Sequence, residues 1–136
     1  MSGKTIELTA DNFEATVIEP GRIVIIDFLA AWCGPCRAFA PVFEAAAERH
    51  PDVVFAKIDT EAQPELAGAF HIRAIPTLMA FRDGVIVFSQ SGMLPAAALD
   101  VLVQKLGELD MDEVRAKIAE AREEHEASEK KAAVNE

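Results

Sequence analysis

The chain has 136 residues, of which 51% are apolar and 26% are charged, and its formal net charge is −10. This length and apolar content are enough to bury the core of one domain and to add one further element, which excludes a chain that is disordered throughout. The acidic balance argues against non-specific nucleic-acid binding, and no apolar run is long enough to span a bilayer.

The first third of the chain alternates between strand and helix patterns. Ile6 and Leu8 predict a short strand, and Asp11 is a candidate helix cap with Glu14 at the capping-box spacing. Residues 23–29 form a β-branched run with almost no polar alternation. This pattern is typical of a strand that is buried on both faces, at the centre of a sheet covered by helices.

The middle of the chain continues the alternation. Apolar residues recur at spacings of three and four over 35–50, which predicts a helix that Pro41 should kink. Residues 53–58 predict another buried strand, and residues 64–70 a short helix.

Two strands at 77–81 and 85–88, joined by an Asp-Gly step, predict a hairpin. Pro95 then opens an amphipathic helix for which Gly107 is the expected stop. The order β-α-β-α-β-α-β-β-α predicts an α/β fold, with a mixed central sheet flanked by helices on both faces.

The end of the chain differs in composition from the rest. Asp110 can cap a further helix with Glu113 at the capping-box position, but its apolar stripe is thin and it is densely charged. We therefore divide the chain into a domain over 1–108 and a charged helical extension over 109–136, which is partly disordered and frays before Asn135.

The chain contains only two cysteines, Cys33 and Cys36, at the start of a predicted helix. At this place the free backbone N–H groups and the helix dipole favour a thiolate at Cys33, and a thiolate attacks disulfides. Cys36, one turn further on, is close enough to resolve the mixed disulfide. The pattern therefore predicts Cys33 as the nucleophile and Cys36 as the resolving cysteine.

Three other interpretations of the cysteine pair compete with this one. A zinc site needs four ligands, and His50, His71 and His125 have no ligand-like spacing, so we expect no metal. An inert disulfide would close a tiny loop and stabilise little. Ordinary buried thiols fit poorly with the Gly-Pro turn between the cysteines. With so few cysteines and no apolar leader at the start of the sequence, we expect a cytoplasmic protein.

Three segments of the chain resemble the thioredoxin family. The run from Trp32 to Arg37 reads W-C-G-P-C-R, 74–77 reads A-I-P-T, and 27–28 reads D-F, in the family's order between about residues 6 and 107. The resemblance implies the thioredoxin fold and a protein-disulfide reductase that uses a reversible Cys33–Cys36 dithiol without a cofactor. It also implies thioredoxin reductase and disulfide-containing clients as partners, and we expect a monomer.

The resemblance also lends roles to residues outside the cysteine pair. Pro76 would be cis and lie against the cysteines, the backbone of Ile75 would pair with an extended substrate segment, and Gly92 would leave room for it. The residues expected to bind the substrate are Trp32, Gly34, Pro35, Ile75, Pro76 and Gly92.

Asp27 and Lys57 form a second candidate constellation. An acid in an apolar strand should have a raised pKa, and it could either serve catalysis or form a structural ion pair. The residues alone leave both open. The resemblance favours catalysis, with Asp27 taking the proton of Cys36 and Lys57 modulating it.

The chain departs from the family's pattern at Leu29, where many members have Trp, and in the extension over 109–136. No His stands between the cysteines, which favours a reductase over an isomerase or oxidant. Two alternatives stay open: a binding or holdase module that uses the extension, and a reductase with a narrow range of partners.

Overall fold

The computed structural model describes residues 5–134, and the side chains of residues 5–130. Its elements in chain order are β1 (Thr5–Glu7), α1 (Phe13–Val17), β2 (Ile23–Leu29), α2 (Gly34–Arg49), β3 (Val54–Asp59), α3 (Pro64–Ala69), β4 (Thr77–Arg82), β5 (Val85–Ser91), α4 (Ala96–Glu108) and α5 (Met111–Val134).

The five strands form one sheet in the order β1-β3-β2-β4-β5. β2 pairs with β3 in parallel, and β4 pairs antiparallel with both β2 and β5. The turn of the β4–β5 hairpin has positive φ at Asp83 and Gly84, as two-residue hairpin turns of this type require. The predicted mixed sheet is confirmed, and β2, which carries Asp27, lies at its centre.

Helices cover both faces of the sheet, and successive residues of each strand point to opposite faces. One face packs against α2 and α4 through a core that includes Ile25, Phe39, Phe43, Phe55 and Leu99. The other face packs against α1 and the segment after α3, through Val17, Val24, Ile26, Ala56 and Phe70. Asp27 and Lys57 are register partners two residues beyond Ile25 and Phe55, so both lie on the face that α2 covers.

Two predicted helix ends were wrong. α1 begins after Asn12, whose Oδ1 accepts the Thr9 N–H at 2.7 Å, and Asp11 does not serve as its cap. Gly107 lies inside α4, which continues to Glu108. Arg82 on β4 donates to the carbonyls of Leu106 and Leu109 at 2.7 and 2.8 Å, and so satisfies acceptors that a helix end leaves unpaired.

The C-terminal helix is tied to the domain by its first turns. Asp110 Oδ1 accepts the N–H groups of Asp112 and Glu113 at 3.0 and 3.2 Å, which confirms Asp110 as the cap. Met111 is buried, whereas the described side chains beyond residue 118 are exposed. The helix extends to Val134, Asn135 lies outside the described residues, and the division after residue 108 stays a prediction.

Among residues 5–134, none of the helices combines the length and the apolar character that crossing a membrane requires.

Replacing Arg82 by Ala tests how strongly β4 holds the end of α4. Hydrogen bonds from charged groups contribute about 1.5–3 kcal/mol, so we expect Arg82→Ala to lower the free energy of unfolding by about that amount. Urea unfolding measures the loss, and proteolysis of α5 should accelerate with it. Arg122→Ala, on the exposed part of α5, is the control. A loss within 0.5 kcal/mol of the control, on the order of an ordinary surface substitution, would show that the two bonds contribute little.

Candidate active site

The two cysteines lie at the junction between β2 and α2, one just before the helix and one in its first turn. Cys33 is the N-cap of α2, and its Sγ accepts the N–H of Cys36 at 3.2 Å. The cysteines are joined as a disulfide, with their Cα atoms 5.2 Å apart. A backbone N–H and the positive end of a 16-residue helix therefore face the sulfur of Cys33, the arrangement that stabilises a thiolate there once the disulfide is reduced.

Exposure does not separate the two sulfurs, because Cys33 and Cys36 are each only 3% exposed. What separates them is position: Cys33 precedes the helix, whereas Cys36 lies within its first turn. Ala30, Leu29 and Ile75 pack around the pair.

Trp32 stands beside the disulfide and is 66% exposed. Its indole Nε1 donates to Glu61 Oε1 at 2.7 Å, so the ring of a large exposed side chain is held in one orientation. Glu61 was not predicted from the sequence, because it lies 29 residues from Trp32 and no local pattern links the two.

The structure brings the predicted substrate-binding backbone to the disulfide. The Ile75–Pro76 peptide bond is cis, as predicted, and Ile75 O lies 3.8 Å from Cys33 Sγ. Gly92 N donates to Pro76 O at 2.8 Å. Gly92 has φ +97°, and a Cβ at this position would meet nothing within 4 Å, so the space above the Gly92 backbone is open.

Two depressions adjoin these residues. One of about 200 Å³ is lined in part by Trp32, Arg73 and Ile75. The other, of about 350 Å³, is lined in part by Phe39 and Met93. Gly34, at the start of α2, also borders open space. The disulfide is therefore flanked by surface into which side chains of an extended segment could fit.

Asp27 is fully buried under α2, and neither carboxylate oxygen has a hydrogen-bond partner among the described residues. Burial raises the pKa of Asp27 from its ordinary value of 3.8 to about 7, and the positive charge of Lys57 opposes that rise. The raised pKa expected from an acid in an apolar strand is thus present, and its cause is desolvation.

Lys57 does not form the ion pair with Asp27 that the sequence left open, and that alternative was wrong. Lys57 Nζ lies 2.6 Å from Glu44 Oε1, which also accepts the Thr5 hydroxyl at 2.7 Å. Burial raises the pKa of Glu44, but the hydrogen bonds from Lys57 and Thr5 outweigh it and leave the pKa lowered. Glu44 was not predicted from the sequence, because it and Lys57 lie on different elements, 13 positions apart in the chain.

The three histidines lie in separate places. His50 Nε2 is 2.7 Å from Asp100 Oδ1, and His125 on α5 is 2.9 Å from Glu129. Within the part of the chain that the structure describes, no group of three or more potential ligand side chains is placed to hold a metal ion.

The matching family model, two curated relatives and a solved structure all carry the same family name. Residues 4–105 match the family model described as Thioredoxin. A Streptomyces coelicolor protein that carries the name thioredoxin 2 is 58% identical over 116 residues, covering 85% of this chain and 86% of that protein. Thioredoxin 2 of Chlorobaculum tepidum is 37% identical over 109 residues, covering 79% of this chain and 97% of its own. A mutant thioredoxin structure from Halobacterium salinarum superposes with a TM-score of 0.71 at 33% identity, covering 81% of this chain and 97% of that one.

Asp27→Asn should stabilise the fold in a pH-dependent manner. Because the folded pKa of about 7 lies above the ordinary 3.8, the wild-type carboxyl is protonated in both states below about pH 4 and destabilises nothing there. Between about pH 4 and pH 7 the carboxyl is ionised in the unfolded chain but protonated in the folded one, so folding must take up a proton and the stability of the wild type falls. Above pH 7 the folded state carries the buried charge and the loss is complete. The variant should then become more stable than wild type by up to about 4 kcal/mol at pH 9.

Denaturant unfolding of the oxidised protein at pH 4, 6.5 and 9 measures this difference. Asp11→Asn removes the same charge from an exposed position, and its curves should follow those of the wild type. A stability gain of Asp27→Asn that is equal at all three pH values would contradict the raised pKa.

Proposed function

The chain belongs to the thioredoxin family and is a thiol–disulfide oxidoreductase with the thioredoxin fold, and from this premise we propose that Cys33 and Cys36 reduce the disulfides of partner proteins. The observation that carries the proposal is the Cys36 N–H directed at Cys33 Sγ at the amino end of α2. This arrangement favours a thiolate at Cys33 over one at Cys36.

The reaction then proceeds in two exchanges. The Cys33 thiolate attacks one sulfur of the client disulfide, which forms a mixed disulfide and releases the other client sulfur as a thiolate. Cys36 next loses its proton and attacks Cys33 Sγ, which closes the Cys33–Cys36 disulfide and releases the second client sulfur. The client gains the two electrons that the dithiol loses.

Asp27 is the proposed acceptor for the Cys36 proton. It lies beneath α2, and with a pKa of about 7 its carboxyl can both take and return a proton near neutral pH. The absence of a direct hydrogen-bond partner on either Asp27 oxygen among the described residues leaves the carboxyl free for this exchange. Lys57 acts on it through its charge.

The client segment is proposed to bind across the cis-proline loop. The backbone of Ile75 next to Cys33 Sγ and the open space over Gly92 suit an extended strand that pairs with the loop. Trp32, whose ring is bonded to Glu61, supplies an exposed apolar surface that lines a depression together with Ile75. Gly34 and Pro35 are proposed to contact the client at the start of α2, where the space around Gly34 is open.

Membership of the family implies disulfide-containing substrates. We further propose thioredoxin reductase as the electron donor, a monomeric state and a cytoplasmic location. Gly34 and Pro35, with no His between the cysteines, support the reducing direction. The use of the extension over 109–136 as a partner-binding module stays a prediction.

Serine variants separate the roles of the two cysteines. Cys36→Ser should accumulate a mixed disulfide with a client through Cys33, because nothing remains to resolve it. Cys33→Ser should lose nearly all insulin reduction and trap no client. Mass spectrometry of the trapped species identifies the bonded cysteine. Substantial insulin reduction by Cys33→Ser would contradict the assignment of Cys33 as the nucleophile.

The reduction potential tests the direction of the reaction. We expect equilibration of Cys33–Cys36 against defined glutathione ratios to give a potential more reducing than glutathione, so that the dithiol form can donate electrons. Each 30 mV corresponds to about a factor of ten in the equilibrium constant. A potential tens of millivolts more oxidising than glutathione would instead indicate an isomerase or oxidant.

A further inference from the structure

We propose that Glu44 is a positioning residue for this reaction: it competes with Asp27 for the Lys57 ammonium, and so decides whether the buried Asp27 carboxyl keeps its proton. The inference deepens the proposed function and rests on its assignment of Asp27 as the proton acceptor for Cys36.

In this structure the Lys57 ammonium pairs with the Glu44 carboxylate and not with that of Asp27. Lys57 Nζ is 2.6 Å from Glu44 Oε1, while both Asp27 oxygens lack a hydrogen-bond partner among the described residues. Yet Lys57 and Asp27 are register partners on adjacent parallel strands, on the same face of the sheet. Adjacent strands lie about 4.8 Å apart, so the flexible lysine stem starts within reach of either carboxylate.

Glu44 is itself held in place for this competition. The Thr5 hydroxyl donates to the same Oε1 at 2.7 Å, and Glu44 Oε2 is buried without a partner among the described residues. The side chains of Lys57 and Glu44 are only 27% and 17% exposed. A half-buried pair in these surroundings is weakly screened, so removal of one member redirects the other.

A cavity of about 370 Å³ borders both members of the pair, so packing does not enclose the Lys57 side chain on that side. Leu29 forms part of its wall, at the position where the family's pattern expects a larger Trp. The cavity lining also includes the acids Glu7 and Asp59.

Among the described residues, Lys57 on β3 is the register partner of Asp27, and its positive charge opposes the rise in the pKa of Asp27 that burial causes. On α2, Glu44 is bonded to Lys57, and Cys36 does not titrate while it is in the disulfide. The register partner of Asp27 on β4 is Leu78, which carries no charge. Lys57 is therefore the cation whose position matters most to Asp27.

Glu44→Gln tests the competition directly. The change removes a negative charge and frees Lys57 to turn towards Asp27, and both effects favour the ionised carboxyl. We expect the titration midpoint of Asp27 to fall by about 1 pH unit or more, since a cation within 4–6 Å lowers the pKa of an acid by about 1–3 units. The ¹³C NMR signal of labelled aspartate in the oxidised protein reports the midpoint, and Asp27→Asn assigns it.

Asp59→Asn is the matched control, because it removes a negative charge from the same cavity without releasing Lys57. Its effect on the midpoint should be less than half that of Glu44→Gln. Thr5→Val, which loosens Glu44 but keeps its charge, should shift the midpoint in the same direction by a smaller amount. An unchanged midpoint in Glu44→Gln, or an equal shift in Asp59→Asn, would overturn the proposal.

A double-mutant cycle separates positioning from a direct charge effect. If Glu44 acts through Lys57, the shift caused by Glu44→Gln should shrink to half or less in a Lys57→Met background. A shift of the same size in both backgrounds would show that Glu44 acts by its own charge and would overturn its role in positioning Lys57.

The titration uses no client, so it does not depend on the role of Asp27 in catalysis. The pH profile of insulin reduction supplies that second test. In Glu44→Gln, the change in activity near pH 7 should shift to lower pH together with the Asp27 midpoint. A midpoint that moves while the activity profile stays in place would support the positioning by Glu44 and contradict Asp27 as the proton acceptor.

Discussion

The contact between the Cys36 N–H and Cys33 Sγ, 3.2 Å long, depends on α2 beginning almost directly where β2 ends. β2 is the central strand of the sheet and is buried on both faces, so its end is fixed by the whole core. Because only a short segment joins β2 to α2, the amino end of α2 is fixed in position as well. The reactivity of Cys33 therefore rests on a junction that packing, rather than the loop itself, holds in place.

The same junction explains why an acid is tolerated in the core. Asp27 lies two residues before the end of β2, on the face that α2 covers, and its burial lowers the stability of the fold progressively as the pH rises from about 4 to about 7. A protein selected for stability alone would place an apolar residue there. This loss of stability supports the proposal that Asp27 accepts the proton of Cys36. Lys57 contacts Glu44, and the Asp27 oxygens have no hydrogen-bond partner among the described residues.

Much of the fold was predictable because its signals are local. The β-branched run of β2, the Asp-Gly turn and the cap at Asp110 each act within a few residues, and all three were confirmed. Of the two wrong helix ends, one involves a distant group and the other a local hydrogen bond. Gly107 did not end α4, because Arg82 on a strand 24 residues earlier satisfies the helix carbonyls. Asp11 lost the cap position because Asn12 bonds back to Thr9.

For the site, the sequence by itself determined the chemical groups: a cysteine pair one helical turn apart, a proline beside them that the family resemblance marked as cis, and an acid in an apolar strand. Spacing along one element sets these, because helix and strand geometry are the same in every protein. Only the tertiary structure decided the partners of the charged groups. Glu61 bonds to Trp32 and Glu44 pairs with Lys57, across 29 and 13 positions of the chain. Such pairings depend on how separate elements pack, and no local pattern encodes that.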